Sequence, residues 1–139
     1  MLICDTSGLL AYFDASDAWS VPVSAVIDAD PGPFVVSPYV VAEFDYLVAT
    51  RRGVGPELAV LTELSGGAWE LPSIESGDLE EICRLVDRYQ DQNIGVADAS
   101  LVVLAQRYRT DRLLTLDRRH FRVVRTAAGN PFTLLPEDP

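Results

Sequence analysis

Leu2-Ile-Cys-Asp5-Thr6-Ser7, followed by Gly8-Leu-Leu-Ala-Tyr-Phe13, sets three apolar residues directly before an acid and two hydroxyl residues. Gly8 to Asp14 then reads as a helix. A short, unbroken apolar run that stops at polar residues before a helix is the pattern of a strand covered on both faces. It recurs far along the chain, where Leu113-Leu-Thr-Leu116 stops at Asp117. Further strand-like runs are Phe34-Val-Val36, Ala68–Leu71, and one or two at Phe121–Val124 and Phe132–Leu135. Helical sequence fills the intervals: Asp17–Asp28 with Pro22 in the first turn, Pro38 to about Arg52, Pro56–Leu64, Asp78–Gln90 and Ala97 to about Arg109. The Asp78–Gln90 segment places Leu79, Ile82, Leu85, Val86 and Tyr89 on one face. Asp30-Pro-Gly-Pro33, Gly53-Val-Gly55, Gly66-Gly67 and Gly95 separate the pieces. Short apolar strands alternating with helices predict an α/β fold around a mainly parallel sheet. In such sheets ligands sit beyond the carboxyl ends of the strands, where Asp5 and Asp117 fall.

A length of 139 residues fits one domain over 1–139, and a hydrophobic share of 48% suffices for a buried core. No apolar run approaches the roughly 20 residues needed to span a bilayer. No basic n-region, apolar h-region or cleavage site marks the N-terminus for export, so a cytoplasmic location without membrane contact is expected. Cys4 and Cys83 lie in apolar settings without C-x-x-C spacing and are expected to be reduced core residues, not a disulfide or a zinc pair.

The net charge of −10 speaks against a nucleic-acid partner until its distribution is examined. Residues 1–98 carry four Arg against 17 acids, whereas residues 99–125 carry seven Arg (107, 109, 112, 118, 119, 122, 125) against two. That stretch could hold a phosphate backbone, or be merely a solvated face. The chain has no Lys. Its absence removes P-loop, Schiff-base and receiver-type Asp–Lys chemistry.

Four acids stand out, each with a plain structural explanation beside the functional one. Asp5, Asp98 and Asp117 could be helix caps or turn residues, and Glu43 a surface residue on its helix. At about 100° per residue, however, Glu43 shares a stripe with Val40 and Leu47, while Asp45 points away and is expected to be solvated. Asp98 has Leu101, Val102 and Ala105 on its side of a helix that is apolar nearly all round. A carboxylate facing a core costs several kcal/mol unless compensated. With no Lys to pair with it, a cation from solution is the economical compensation, and carboxylate oxygens suit Mg2+ or Mn2+ better than zinc.

The segments Asp5-Thr-Ser-Gly-Leu-Leu-Ala-Tyr-Phe13, Val40-Val-Ala-Glu-Phe44, Gly95-Val-Ala-Asp-Ala-Ser100 and Leu114-Thr-Leu-Asp-Arg-Arg-His-Phe121 together resemble the four blocks of PIN-domain ribonucleases. Their order and spacing, with the closing Leu134-Leu-Pro136, look most like the VapC toxins of bacterial toxin–antitoxin pairs. The resemblance covers nearly the whole chain. It implies a PIN-like three-layer α/β/α sandwich in which Asp5, Glu43, Asp98 and Asp117 meet and hold one or two Mg2+ or Mn2+ ions. It implies a hydrolase that cuts cellular RNA with metal-activated water, leaving 5′-phosphate and 3′-hydroxyl ends, and a homodimer silenced by a small VapB-like antitoxin. Thr6, Ser7 and Thr115 stand where the family often has hydroxyls that bind water or metal, and Arg118, Arg119 and Arg122 are candidates for holding RNA. An Arg from the antitoxin could neutralise the acids, with Tyr12, Phe13, Trp19, Phe44 and Tyr46 as apolar anchors. Asp91, where some relatives have an extra acid, is expected at the surface.

Other readings fare worse. A Ser-His-Asp hydrolase would need His120, the only histidine, but no G-x-S-x-G elbow occurs, and His120 is expected in a turn. Asp5-Thr6-Ser7 after a strand also resembles the haloacid-dehalogenase phosphatases, which need a second Asp where Ser7 stands and a Lys that is absent. A PIN-like module that binds RNA or a partner without cutting remains the alternative from another class. The intact set of four acids argues against it.

Overall fold

The computed structural model describes residues 1–138. Five parallel strands, β1 (Leu2–Cys4), β2 (Phe34–Val36), β3 (Trp69–Glu70), β4 (Arg112–Leu114) and β5 (Thr133–Leu135), form one sheet in the order β3-β2-β1-β4-β5. Helices α1 (Thr6–Phe13), α2 (Ser20–Ala29), α3 (Pro38–Arg52), α4 (Val54–Ser65), α5 (Ser76–Arg88), α6 (Val96–Tyr108) and α7 (Arg118–Phe121) flank it. The expected α/β architecture is the one observed. No helix among the described residues is long and apolar enough to cross a membrane.

Leu2, Ile3 and Cys4 of β1 and Leu113 and Leu114 of β4 have no solvent exposure. This is why these strands are unbroken apolar runs without alternation. From β1 the chain adds strands first on one side, β2 then β3, and later returns to add β4 and β5 on the other. The order therefore reverses between β1 and β4, and a parallel sheet opens a crevice at the carboxyl ends of such a pair. The ladder runs on past the strands there, with the Asp5 N–H donating to the Leu114 carbonyl at 3.0 Å and Thr115 N–H to Leu135 at 3.0 Å.

Helix α6 is buried continuously from Ala99 to Ala105, as its all-round apolar sequence requires. The Ser100 hydroxyl within it lies 2.7 Å from that of Ser37 and donates to the Ala97 carbonyl at 2.6 Å. Ser37 also caps α3, accepting from Tyr39 N–H at 3.2 Å. One buried hydroxyl pair thus ties the start of the helix bearing Glu43 to the start of the helix bearing Asp98.

Three expectations need correction. Phe121–Val124 forms no strand: Asp117 caps a short helix whose last residue, Phe121, is 1% exposed and packs edge-on against Phe132. Cys83 is exposed, and only Cys4 belongs to the core. On α5, Ile82 and Leu85 are buried but Leu79 and Val86 are 41% and 37% exposed, so the buried stripe is narrower than expected.

Gly8 carries α1 across the end of β4. A Cβ there would stand 2.6 Å from the Leu114 carbonyl oxygen and 3.1 Å from its carbon, and backbone cannot give way as a flexible side chain can. Gly8→Ala is expected to lower unfolding free energy by about 1–3 kcal/mol, within the usual range for overpacking. Urea titration against the parent protein measures this, and an unchanged midpoint would mean α1 sits farther from β4 than described.

Candidate active site

Asp5 leaves β1 and caps α1. Its Oδ1 accepts from Thr6 N–H at 2.8 Å, and its Oδ2 accepts from the Thr115 hydroxyl at 2.8 Å and the Ser7 hydroxyl at 3.0 Å. Each hydroxyl accepts in turn from the loop after β4, Ser7 from Leu116 N–H at 2.9 Å and Thr115 from Asp117 N–H at 3.0 Å. Of the three hydroxyl residues picked from sequence, Ser7 and Thr115 reach Asp5 through their side chains. Thr6 reaches it only through its amide, and its own hydroxyl is buried without a partner. Burial pushes the Asp5 carboxyl above its ordinary value, the bonds from Thr115, Ser7 and Thr6 pull it back, and the charge on Asp117 adds to the rise.

Asp98 is the third residue of α6. Its carboxyl is pushed up to about 6, first by burial and then by Asp5, with Asp117 and Glu43 adding and His120 opposing. The four acids chosen from sequence, carried on four separate segments, are therefore near enough to act on one another. Asp117 follows β4 and caps α7, its Oδ1 3.4 Å from His120 N. Glu43 is exposed and not turned toward the core as the stripe it shares with Val40 and Leu47 suggests, whereas Asp98 and Asp117 are partly buried. Asp91 is exposed in a short 3₁₀ turn, Gln90–Gln92, and is absent from the groups that shift Asp98.

Asp45 is not the solvated residue expected. It is half-buried, its Oδ1 is sealed off without a hydrogen bond donor, and it faces Glu57, whose carboxyl it pushes upward. Helix α4 packs on that side of α3, a neighbour that the periodicity of α3 alone could not reveal.

His120 was also misplaced. It is no turn residue: its Nδ1 lies 3.3 Å from Asp98 Oδ2 and 3.2 Å from Asp117 Oδ2. The available signal was its position three residues after Asp117, which puts both on one face of a helix and is lost if the segment is read as a strand. Of the three Arg residues, Arg119 is exposed and makes no ion pair among the described residues. Arg118 pairs with Glu137, and Arg122 grips Asp138 through two bonds of 2.8 and 2.6 Å. That grip, with the Leu134 N–H, pulls the Asp138 carboxyl down to about 2.

As placed, no three Asp, Glu, His or Cys side chains among the described residues close around a common point for a metal. The donor set nonetheless fits a hard divalent cation. Among the described residues none of the four acids is paired with an Arg, Asp5 and Asp98 are shifted upward by burial and then by neighbouring acids, and the Nδ1 of His120 is buried beside them without a hydrogen bond. Mg2+ keeps several waters and binds through one or two carboxylates, so an open group of acids suits it.

Residues 2–126 match the family model described as PIN domain. The chain is 58% identical over 135 residues to Ribonuclease VapC26 of Mycobacterium tuberculosis, covering 97% of this chain and all of that one. The fold is similar to the crystal structure of Mycobacterium tuberculosis VapC20, described as a sarcin–ricin loop cleaving toxin, with a TM-score of 0.77 at 17% identity over 84% of this chain and 90% of that one. It is also similar to a toxin–antitoxin complex from Klebsiella pneumoniae, with a TM-score of 0.69 at 18% identity over 89% and 92% of the two chains.

A carboxyl that titrates higher in the folded chain than in the unfolded one favours folding when protonated, and that advantage is lost as pH rises. For Asp98 the window runs from 3.8 to about 6, a loss of about 3 kcal/mol before any reduction for its partial exposure to solvent. In chelator at pH 7, Asp98→Asn is expected to be more stable than the parent by about 1–2 kcal/mol, with the gap closing near pH 4. Urea unfolding at both pH values reads this. A variant clearly less stable at pH 7 would mean that Asp98 has a compensating partner.

Proposed function

The chain belongs to the PIN-domain family, and on that premise we propose that it is a Mg2+- or Mn2+-dependent ribonuclease toxin that hydrolyses cellular RNA. The observation that carries this reading is the gathering of acids without Arg partners at the carboxyl ends of β1 and β4, where the Thr115 hydroxyl joins Asp5 to the Asp117 amide and His120 Nδ1 stands 3.3 Å from Asp98 and 3.2 Å from Asp117. A protein does not gather four acids against their own repulsion for stability. The relative that is 58% identical is named a ribonuclease, and RNA is the substrate proposed here.

Asp5, Glu43, Asp98 and Asp117 would hold the cation. When bound it supplies Lewis acidity, bringing a water toward ionisation near neutral pH and offsetting charge on the phosphate oxygens. The chain's own groups do the rest. Ser7 and Thr115 hold the Asp5 carboxylate in one orientation. Arg119 is open to a phosphate. Arg118 and Arg122 would exchange the carboxylates of Glu137 and Asp138 for phosphates, since a guanidinium fork fits either.

The toxin–antitoxin complex among the similar folds supports a small VapB-like antitoxin as partner. A cavity of about 340 Å³ between α1, α3 and α4 is lined by Leu10, Phe13, Phe44, Leu47 and Val60, with Arg51 and Arg52 at its edge. It is large enough for one or two apolar anchor side chains. Phe44 is buried in its wall, while Trp19 and Tyr46 are 36% and 67% exposed. A cytoplasmic homodimer completes the reading.

A cleavage assay with three arms tests it. Cleavage should need Mg2+ or Mn2+, stop in excess EDTA, and fall by at least about 100-fold in Asp5→Asn, Glu43→Gln, Asp98→Asn and Asp117→Asn. Exchange of Arg118, Arg119 and Arg122 for Gln should flatten the log–log salt dependence of RNA binding by about 0.7–0.9 for each phosphate that is no longer neutralised. The co-expressed product of the adjacent upstream reading frame should suppress cleavage by the parent but not by Leu47→Arg. Full cleavage in EDTA, with contaminating nuclease excluded, refutes the metal mechanism.

A further inference from the structure

His120 is the only histidine of the chain, and its ring nitrogen stands among groups that otherwise offer only oxygen. Its position is set from several sides. Asp117 caps the helix that carries it, Phe121 beside it is buried against Phe132, and Arg122 is held by Asp138. The side chain is 15% exposed, and Nδ1 itself is sealed from solvent.

Among the described residues Nδ1 makes no hydrogen bond, although two carboxylate oxygens are close, at 3.2 Å on Asp117 and 3.3 Å on Asp98. A charge-assisted N–H···O bond would be about 2.7–2.9 Å long and aligned. Two neighbouring ligands on an octahedral ion with bonds near 2.1 Å stand about 3.0 Å apart. The separations around His120 are closer to the second figure, and a buried nitrogen that lies within ion-pair distance of two carboxylates but hydrogen-bonds to neither is suited to join them on an ion. Imidazole is a common metal ligand. It favours transition metals, whereas Mg2+ prefers carboxylate and water.

We propose that, once an ion draws these side chains inward from the open arrangement described above, His120 Nδ1 becomes a nitrogen ligand of the acid site alongside Asp98 and Asp117, and that it makes the site favour Mn2+ over Mg2+. The inference rests on the divalent-metal reading above and adds the identity of the ligand and of the preferred ion.

The test measures binding and spectra without cleavage. Unloaded protein, His120→Leu and His120→Asn are titrated calorimetrically with Mn2+ and with Mg2+, and the Mn2+-loaded forms are studied by pulsed electron paramagnetic resonance. The parent should show modulation from a directly bound imidazole ¹⁴N, absent in both variants. Mn2+ affinity should fall about tenfold or more in the variants while Mg2+ affinity changes much less. If His120→Leu fails to fold, His120→Asn, which keeps a polar group of similar reach, carries the comparison. A Mn2+-loaded parent without ¹⁴N modulation, or equal losses for the two ions, overturns the assignment and leaves the carboxylate site standing. A parent that binds neither ion overturns the metal reading and this inference with it.

Discussion

The Asp5 carboxyl, buried between the ends of β1 and β4, is the constraint around which this end of the protein is organised. A buried charge without compensation costs several kcal/mol. Here two hydroxyls and one amide offset part of that cost. The hydroxyls come from both strand ends, so satisfying Asp5 also fixes how the β4 loop leaves the sheet. Asp117 inherits its place because its amide binds the same Thr115 hydroxyl. What the network cannot supply is positive charge. Burial and then the neighbouring acids hold the Asp98 carboxyl high, and any cation that binds the folded chain alone stabilises it by mass action.

Much of this was legible in the residues because the governing physics is local. Unbroken apolar runs ending in acids mark strands covered on both faces, and their carboxyl ends are where a parallel sheet exposes side chains. The direction of Asp98 follows from an apolar helix that leaves a carboxylate little water. What escaped reading depends on neighbours distant in sequence. Asp45 is half-buried because α4 covers α3, and Arg118 and Arg122 are engaged because Glu137 and Asp138 return beside α7. His120 was lost through a wrong period: Phe121 and the residues after it look like a strand, yet Asp117 caps a helical turn before them.

The charge distribution also looks different once folded. The Arg-rich stretch is less basic than its sequence suggests, since Arg112 pairs with the nearly buried Asp30, Arg107 with Asp78, and Arg118 and Arg122 with acids beyond β5. These pairs are mostly exposed, and exposed pairs contribute little to stability. Their weakness suits groups that exchange partners. An acidic chain can present guanidinium groups to a polyanion without a basic surface at rest.

The central strand has a consequence in time. Cys4 pairs with Leu114, a neighbour 110 positions later in the chain, and the same junction brings Thr115 to Asp5. Parallel pairing of such remote segments is slow and cannot precede the arrival of the later one. As the chain leaves the ribosome, β1 can meet β2 early, but Asp5 waits beside an empty lane until β4 emerges. A nascent chain of this kind exposes Asp5 long before β4 and the Asp117 loop exist to complete its surroundings, so the acid group is assembled by folding across the sheet and not by any local segment.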